Sequence, residues 1–146
     1  MCIGSVVGLE VAVRVYPHGD PLRDAGHARL LGRLRGELHP RLTWRTEVPL
    51  PIAGDARAWD AVIGGDGWQL PVEAETVLTD SQAIERKLAL KLRDGGFDHV
   101  VLLLADTRRN RTALWGVQRT MPLETRAVLA ALRDGRDPSA SGLVIL

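Results

Sequence analysis

The chain alternates, breaks and alternates again. Leu9, Val11, Val13 and Val15 share one face of an early stretch while Glu10 and Arg14 take the other, which predicts a strand. Residues 17–21, Pro-His-Gly-Asp-Pro, interrupt it, and Asp20 before Pro21 reads as a helix cap followed by a first-turn proline. From Leu22 to Leu38 apolar residues recur at helical spacing, at Leu30, Leu31, Leu34 and Leu38. Alternation resumes after Pro40: Leu42, Trp44, Thr46 and Val48 on one side, Arg41, Thr43, Arg45 and Glu47 on the other. Two further strands, Ala58 to Gly64 and Trp68 to Glu75, flank a Gly65-Asp66-Gly67 hairpin turn. Pro71 inside the second predicts an edge position or a bulge.

The next segment is the clearest helix. Thr79, Asp80 or Ser81 caps its start, Gly95 and Gly96 end it, and Ile84, Leu88 and Leu92 form a narrow apolar stripe. The run from Val100 to Ala105 has the unbroken hydrophobicity of a strand covered on both faces. A helix capped by Asp106 or Thr107 follows, then another from Leu123 to Gly135, and the tail Ser141 to Leu146 is left as a short strand or a frayed end. No linker, internal repeat or low-complexity tract divides the chain, so residues 1–146 are expected to form one domain of mixed α/β class. Three consecutive strands predict an antiparallel meander. The helix after them predicts a right-handed crossover that returns the buried strand to the same sheet.

Composition adds little until its distribution is considered. The 146 residues are 45% hydrophobic and carry a formal charge of +1. Lys87 and Lys91 are the only lysines, so the other basic residues are arginines, a bias that fits a GC-rich genome or phosphate binding. Cys2 is the single cysteine, which excludes an internal disulfide and a cysteine-rich zinc site. The longest apolar run is too short for a bilayer, and the N-terminus lacks a basic leader, so a cytoplasmic protein with no membrane partner is expected.

Three carboxylates stand out on the hairpin. Asp60 lies near the start of one arm, and Glu73 and Glu75 lie near the end of the other, on strands otherwise rich in Val, Ile, Leu and Trp. Counted from a turn at Gly65–Asp66, Asp60 lies some five residues back and Glu73 some seven on, close to register if a bulge at Pro71 absorbs the difference. Glu73 and Glu75 are two apart and share a face. Like charges so placed oppose joint ionisation, and a divalent cation removes that opposition. Solvated surface carboxylates are the competing reading.

This αβββαβ order, with its acidic hairpin, resembles the PD-(D/E)XK nuclease superfamily over roughly residues 22–106. Asp60 matches the motif's Asp, Glu73 its Asp/Glu, and Glu75 stands where Lys is usual. The resemblance implies Mg²⁺ or Mn²⁺ held by Asp60 and Glu73, with a backbone carbonyl near Ala74 as a third ligand and Glu75 orienting water or holding a second metal. Some members carry the basic residue on the following helix. Of the two lysines there, Lys91 flanks the apolar stripe more closely than Lys87, and Gln82 is similar to a polar residue of several branches. The expected catalytic set is therefore Asp60, Glu73, Glu75, Gln82 and Lys91. The segments Trp44 to Pro51, Ala58 to Trp68, Val72 to Thr76, Ala89 to Gly96 and Ala105 to Arg111 also resemble the C-terminal domain of actinobacterial helix-turn-helix regulator-like proteins. Their N-terminal DNA-binding domain is expected to be missing here, since the chain starts almost at a strand.

Arg108, Arg109 and Arg111 crowd a helix start after the buried strand and are candidate nucleic-acid contacts. His18, His27, His39 and His99 show no metal-ligand spacing, and serine-hydrolase, P-loop and Rossmann glycine patterns are absent. Two functions follow from these residues. One is a metal-dependent phosphodiesterase acting on nucleic acid. The other is a non-enzymatic sensing, homodimerising or protein-contact module, partnered by a DNA-binding domain or protein, on a degenerate nuclease fold.

Overall fold

The computed structural model describes residues 21–114, 117 and 120–146. The expected strand at residues 9–15 and the Asp20 cap lie outside them. Nine elements follow in order: α1 (Pro21–Gly36), β1 (Thr43–Pro49), β2 (Ala58–Gly65), β3 (Trp68–Glu75), α2 (Ser81–Gly95), β4 (Val101–Leu104), α3 (Arg108–Ala113), α4 (Thr125–Arg133) and β5 (Gly142–Ile145). The strands form one mixed sheet in the order β1-β2-β3-β4-β5. β1, β2 and β3 are the antiparallel meander, and β4 and β5 continue it in parallel. The tail is a strand because its backbone completes the ladder to β4.

Helices cover both faces. On one, Leu30 and Leu34 of α1 and Val128, Leu129 and Leu132 of α4 pack on Ala61, Ile63, Leu70, Val72, Ala74, Val101 and Leu103. On the other, Ile84 and Leu88 of α2 pack with Trp59, Val62, Leu102 and Leu104. Every residue of β4 is buried, as its unbroken hydrophobicity requires. α2 is capped at both ends: the Asp80 carboxylate accepts from the Ala83 N–H, and Gly96 closes the helix in the left-handed conformation at φ 70°.

Pro71 corrects an expectation. It is neither at an edge nor in a bulge: β3 lies between β2 and β4, and Pro71 pairs with Val62 in unbroken register. The β3–β4 ladder opens one residue later, at Val72↔Val101, so on that side no ladder bond exists for the missing N–H to break. The turn is also shifted by one residue, since Gly65 pairs with Trp68 around Asp66 and Gly67. Asp60 and Glu73 therefore fall opposite one another with no bulge to absorb. No helix among the described residues is long and apolar enough to cross a membrane.

Candidate functional site

The β2–β3 ladder ends at Ala61↔Val72, one step short of Asp60 and Glu73. β2 also loses its alternation here. Trp59 and Ala61 are two apart, yet Trp59 packs on the α2 side and Ala61 on the α1–α4 side. Across β1 the disturbance continues. The β1–β2 ladder pairs Thr46 with Ala61 and Val48 with Trp59, and the skipped residue, Glu47, has a φ of 51°. A non-glycine residue in that region marks local strain. The sheet is thus distorted at the residue that carries the first carboxylate.

The distortion gives Asp60 partners from two elements. Its Oδ2 accepts from the Ala74 N–H at 2.8 Å, a main-chain donor of β3 beyond the end of the β2 ladder. Its Oδ1 lies 3.4 Å from Nε2 of His27, on α1. Burial works against the Asp60 charge, but the His27 hydrogen bond, the Ala74 N–H and the nearby His27 and Lys91 charges outweigh it and hold the carboxyl below its ordinary range. His27 is moved the other way. The hydrogen bond to Asp60 raises its pKa above 6.5 against burial, aided by the fields of Asp60, Glu75 and Glu73.

Glu73 points to the α2 side and is only 2% exposed. Each of its oxygens meets a different ammonium. Lys91 Nζ donates to Oε2 at 2.6 Å and to the Ala58 carbonyl at 2.6 Å, and lies 4.7 Å from the centre of the Trp59 ring. Lys87 Nζ stands 2.5 Å from Oε1 and 3.1 Å from Glu75 Oε1. Burial and then the Asp60 charge push the Glu73 carboxyl above its ordinary range, with both lysines opposing. Burial disfavours the charged Lys87, but Glu73 and Glu75 more than compensate and raise its pKa. Lys87 and Lys91 are four apart, one turn of α2, which is why both reach the same strand.

The expected site residues divide accordingly. At the β2–β3 divergence Asp60 is held from the α1 side by His27 and by the Ala74 N–H, whereas Glu73 faces α2, paired with Lys91 and Lys87, and Glu75 is paired with Lys87. Lys91 is buried with its ammonium, so it is an anchored ion-pair partner and not a side chain reaching for water. The main-chain group that meets Asp60 at Ala74 is its N–H. Gln82 is exposed in the first turn of α2, nine positions from Lys91, half a turn of the helical wheel away. Arg108, Arg109 and Arg111 are exposed on α3, and Arg111 is held by Asp106 through two bonds of 2.6 and 2.9 Å. Thr107, one of the two expected caps, accepts from the Asn110 N–H.

Two contributors had no strong local signal. His27 belongs to a polar stretch of α1 and gains its role only when α1 crosses the sheet. Asn110, among arginines, is 1% exposed. Its amide donates to the Thr76 and Ala105 carbonyls, and its carbonyl accepts from the Leu78 N–H. It ties the segment after Glu75 to the helix that carries the arginines.

The oxygens here able to face a hard cation belong to Asp60, Glu73 and Glu75. Among the described residues, no group of three or more His, Cys, Asp or Glu side chains is arranged to hold a metal ion. No family model, curated protein or solved structure matches the chain.

Proposed function

We propose that this chain is a PD-(D/E)XK-like domain that hydrolyses phosphodiester bonds in nucleic acid with Mg²⁺ or Mn²⁺ held by Asp60 and Glu73. The observation that carries the reading is the placement of Asp60 and Glu73 where β2 and β3 part, near enough for the charge of Asp60 to help raise the Glu73 pKa. The donor chemistry fits a divalent ion. Glu73 is paired with both lysines and Glu75 with Lys87, and the residual repulsion between Asp60 and Glu73 is the kind a cation relieves. Such an ion, when bound, supplies charge neutralisation at the phosphate and a water of lowered pKa.

The chain's own groups divide the remaining work. The Ala74 N–H and His27 orient the Asp60 carboxylate. Lys91 fixes one oxygen of Glu73 from inside the protein. Lys87 takes the place of the missing motif lysine, because its ammonium bridges Glu73 and Glu75 from the solvent side and reaches a phosphate oxygen there. Arg108 and Arg109 hold the nucleic-acid backbone. Gln82 is given no step.

The test is cleavage of labelled single- and double-stranded DNA and RNA with Mn²⁺. Wild type should nick or degrade at least one substrate, and Glu73→Ala and Asp60→Asn should be inactive while retaining their circular dichroism. Inert wild type on all four substrates, together with no Mn²⁺-dependent rise in melting temperature, would sink the proposal.

One observation favours a second reading. Both Glu73 oxygens already have ammonium partners, so the cluster is largely self-compensated, as a non-enzymatic interaction or sensing module would be. Failure of the cleavage test with a folded protein selects this reading, and capture of a DNA-binding partner is then the next experiment.

A further inference from the structure

Several surface arginines sit against acids: Arg93 against Asp94, Arg133 against Glu37, Arg136 against Asp134. The notch between α1 and α3 is different. On α1, Arg29 and Arg33 are exposed and one turn apart, on the flank that also carries Gly26. Gly26 rests on Thr76, just past the end of β3: a Cβ built on it would stand 3.6 Å from Thr76 Cγ2. On α3, Arg108 and Arg111 are exposed and three apart, so they share a face. The two helices meet around Asp106. Arg111 donates to both of its oxygens, at 2.6 and 2.9 Å. Those bonds hold the Asp106 carboxyl below its ordinary range, and the charge of Arg33 adds to them from α1. Arg29, Arg33 and Arg108 have no ion-pair partner among the described residues. Arg45 on β1 and Arg86 on α2 are likewise unpaired there, but each stands on a separate element. Four arginines from two helices thus gather round one carboxylate, which leaves a local excess of positive charge.

The notch adjoins the strand that carries Glu73 and Glu75. The Ala105 N–H donates to the Glu75 carbonyl at 3.2 Å, so Asp106 begins where β3 ends, and Asn110 fastens Thr76 to α3. Positive charge gathered at the carboxyl ends of parallel strands suits a polyanion, and guanidinium groups match phosphate oxygens in geometry as well as in sign. We infer that Arg29 and Arg33 of α1 join Arg108 and Arg111 of α3 in one notch that binds the phosphate backbone of a nucleic-acid strand beside Glu75. The inference rests on the proposed function for its ligand class and adds α1 to the surface that holds the strand. Asp106 keeps Arg111 in place while the notch is empty, and its charge opposes the incoming anion. Contacts of this kind position a strand without reading its sequence.

Fluorescence anisotropy of a labelled single strand and of its duplex, in EDTA at low salt, tests the notch on the full chain. Wild type should bind both. The double variant Arg29→Gln, Arg33→Gln should bind about tenfold more weakly and lower the salt slope on the single strand by about 0.7 per lost contact. The double variant Arg45→Gln, Arg86→Gln removes the same charge from β1 and α2 and should stay within about twofold of wild type. Asp106→Asn should tighten binding several-fold, a direction that damage to the fold does not produce. The inference is overturned if wild type binds neither probe, if the α1 variant binds as wild type does, if Asp106→Asn binds no more tightly, or if both double variants weaken alike, which leaves only net charge. EDTA keeps the result apart from the metal reading. A protein that binds through these arginines and never cleaves retains the notch and loses hydrolysis. One that cleaves while Arg29 and Arg33 are dispensable for binding retains hydrolysis and loses the notch.

Discussion

Replacing Lys91 with Met tests the buried half of the cluster. Methionine keeps the unbranched stem that lies along α2 and Trp59, so the change removes the ammonium and little volume. What it leaves behind can be read from the structure. Glu73, 2% exposed, loses its Oε2 partner, Ala58 O loses its donor, and Trp59 loses the cation over its ring. Breaking a buried ion pair from one side typically costs about 3–5 kcal/mol. Lys87 still holds Oε1, so the expected loss is toward the lower end, about 3 kcal/mol, or a shift of about 1.5 M in a urea midpoint. Glu73→Gln should cost about 2 kcal/mol, since it strands a buried ammonium but leaves the Ala58 bond. The double variant should lose clearly less than the sum, with a coupling of about 1.5 kcal/mol or more.

The acid limb gives an independent check on sign. Burial and Asp60 already raise the Glu73 carboxyl above its unfolded value, and removing Lys91 takes away a group that opposes that rise. An acid whose folded pKa is raised takes up a proton more readily in the native state, so native stability gains as pH falls through the folded pKa toward the unfolded one. The Lys91→Met deficit should therefore shrink between about pH 7 and pH 5. Urea unfolding of the four proteins at both pH values decides the matter. Additive losses, or a Lys91→Met cost below about 1 kcal/mol at neutral pH, would refute the claim that this pair is a buried, mutually dependent unit.

Two further outcomes are expected. His27 gains an imidazolium-stabilising partner, so its contribution is complete below the unfolded value near pH 6.5 and is lost as pH rises through the raised folded pKa. The melting-temperature deficit of His27→Gln should then be larger at about pH 5.5 than at about pH 8.5, and an equal deficit would show that the Asp60 contact is not ionic. Asn110→Ala should lose about 3 kcal/mol by unpairing the Leu78 N–H and the Thr76 and Ala105 carbonyls, and Asn110→Asp should not rescue it because both amide donors are gone. A loss within about 0.5 kcal/mol of wild type would mean that water replaces those bonds.

What was legible in the sequence was short-range. Asp80 and Gly96 bracket α2 because a cap and a left-handed stop act within a few residues, and β4 declares itself because burial on both faces leaves no polar position. The three carboxylates were visible as polar residues on apolar strands. The partners that define them were not. His27 and Asp60 are thirty-three residues apart, and nothing in α1 marks that histidine before the helix lies on the sheet. Asn110 is hidden among arginines whose exposure is the opposite of its own. Pro71 was misjudged by a general rule about sheet interiors, which fails where the neighbouring ladder has not yet opened.

The failures are not scattered. The broken alternation between Trp59 and Ala61, the left-handed Glu47 and the β3 amide that finds a carboxylate all fall at or beside Asp60. A sheet built only for stability would keep its pleat there and turn an apolar residue inward. This one gives up regular pairing, holds a strained glutamate at an exposed edge, and sinks an acid and a lysine beside a tryptophan. Local rules of strand formation are usually violated together only where the surrounding structure over-determines the violation and a site needs it. The coincidence of these departures on Asp60, with Glu73 buried on the neighbouring strand, is the strongest structural reason to look for chemistry there before looking anywhere else on the molecule.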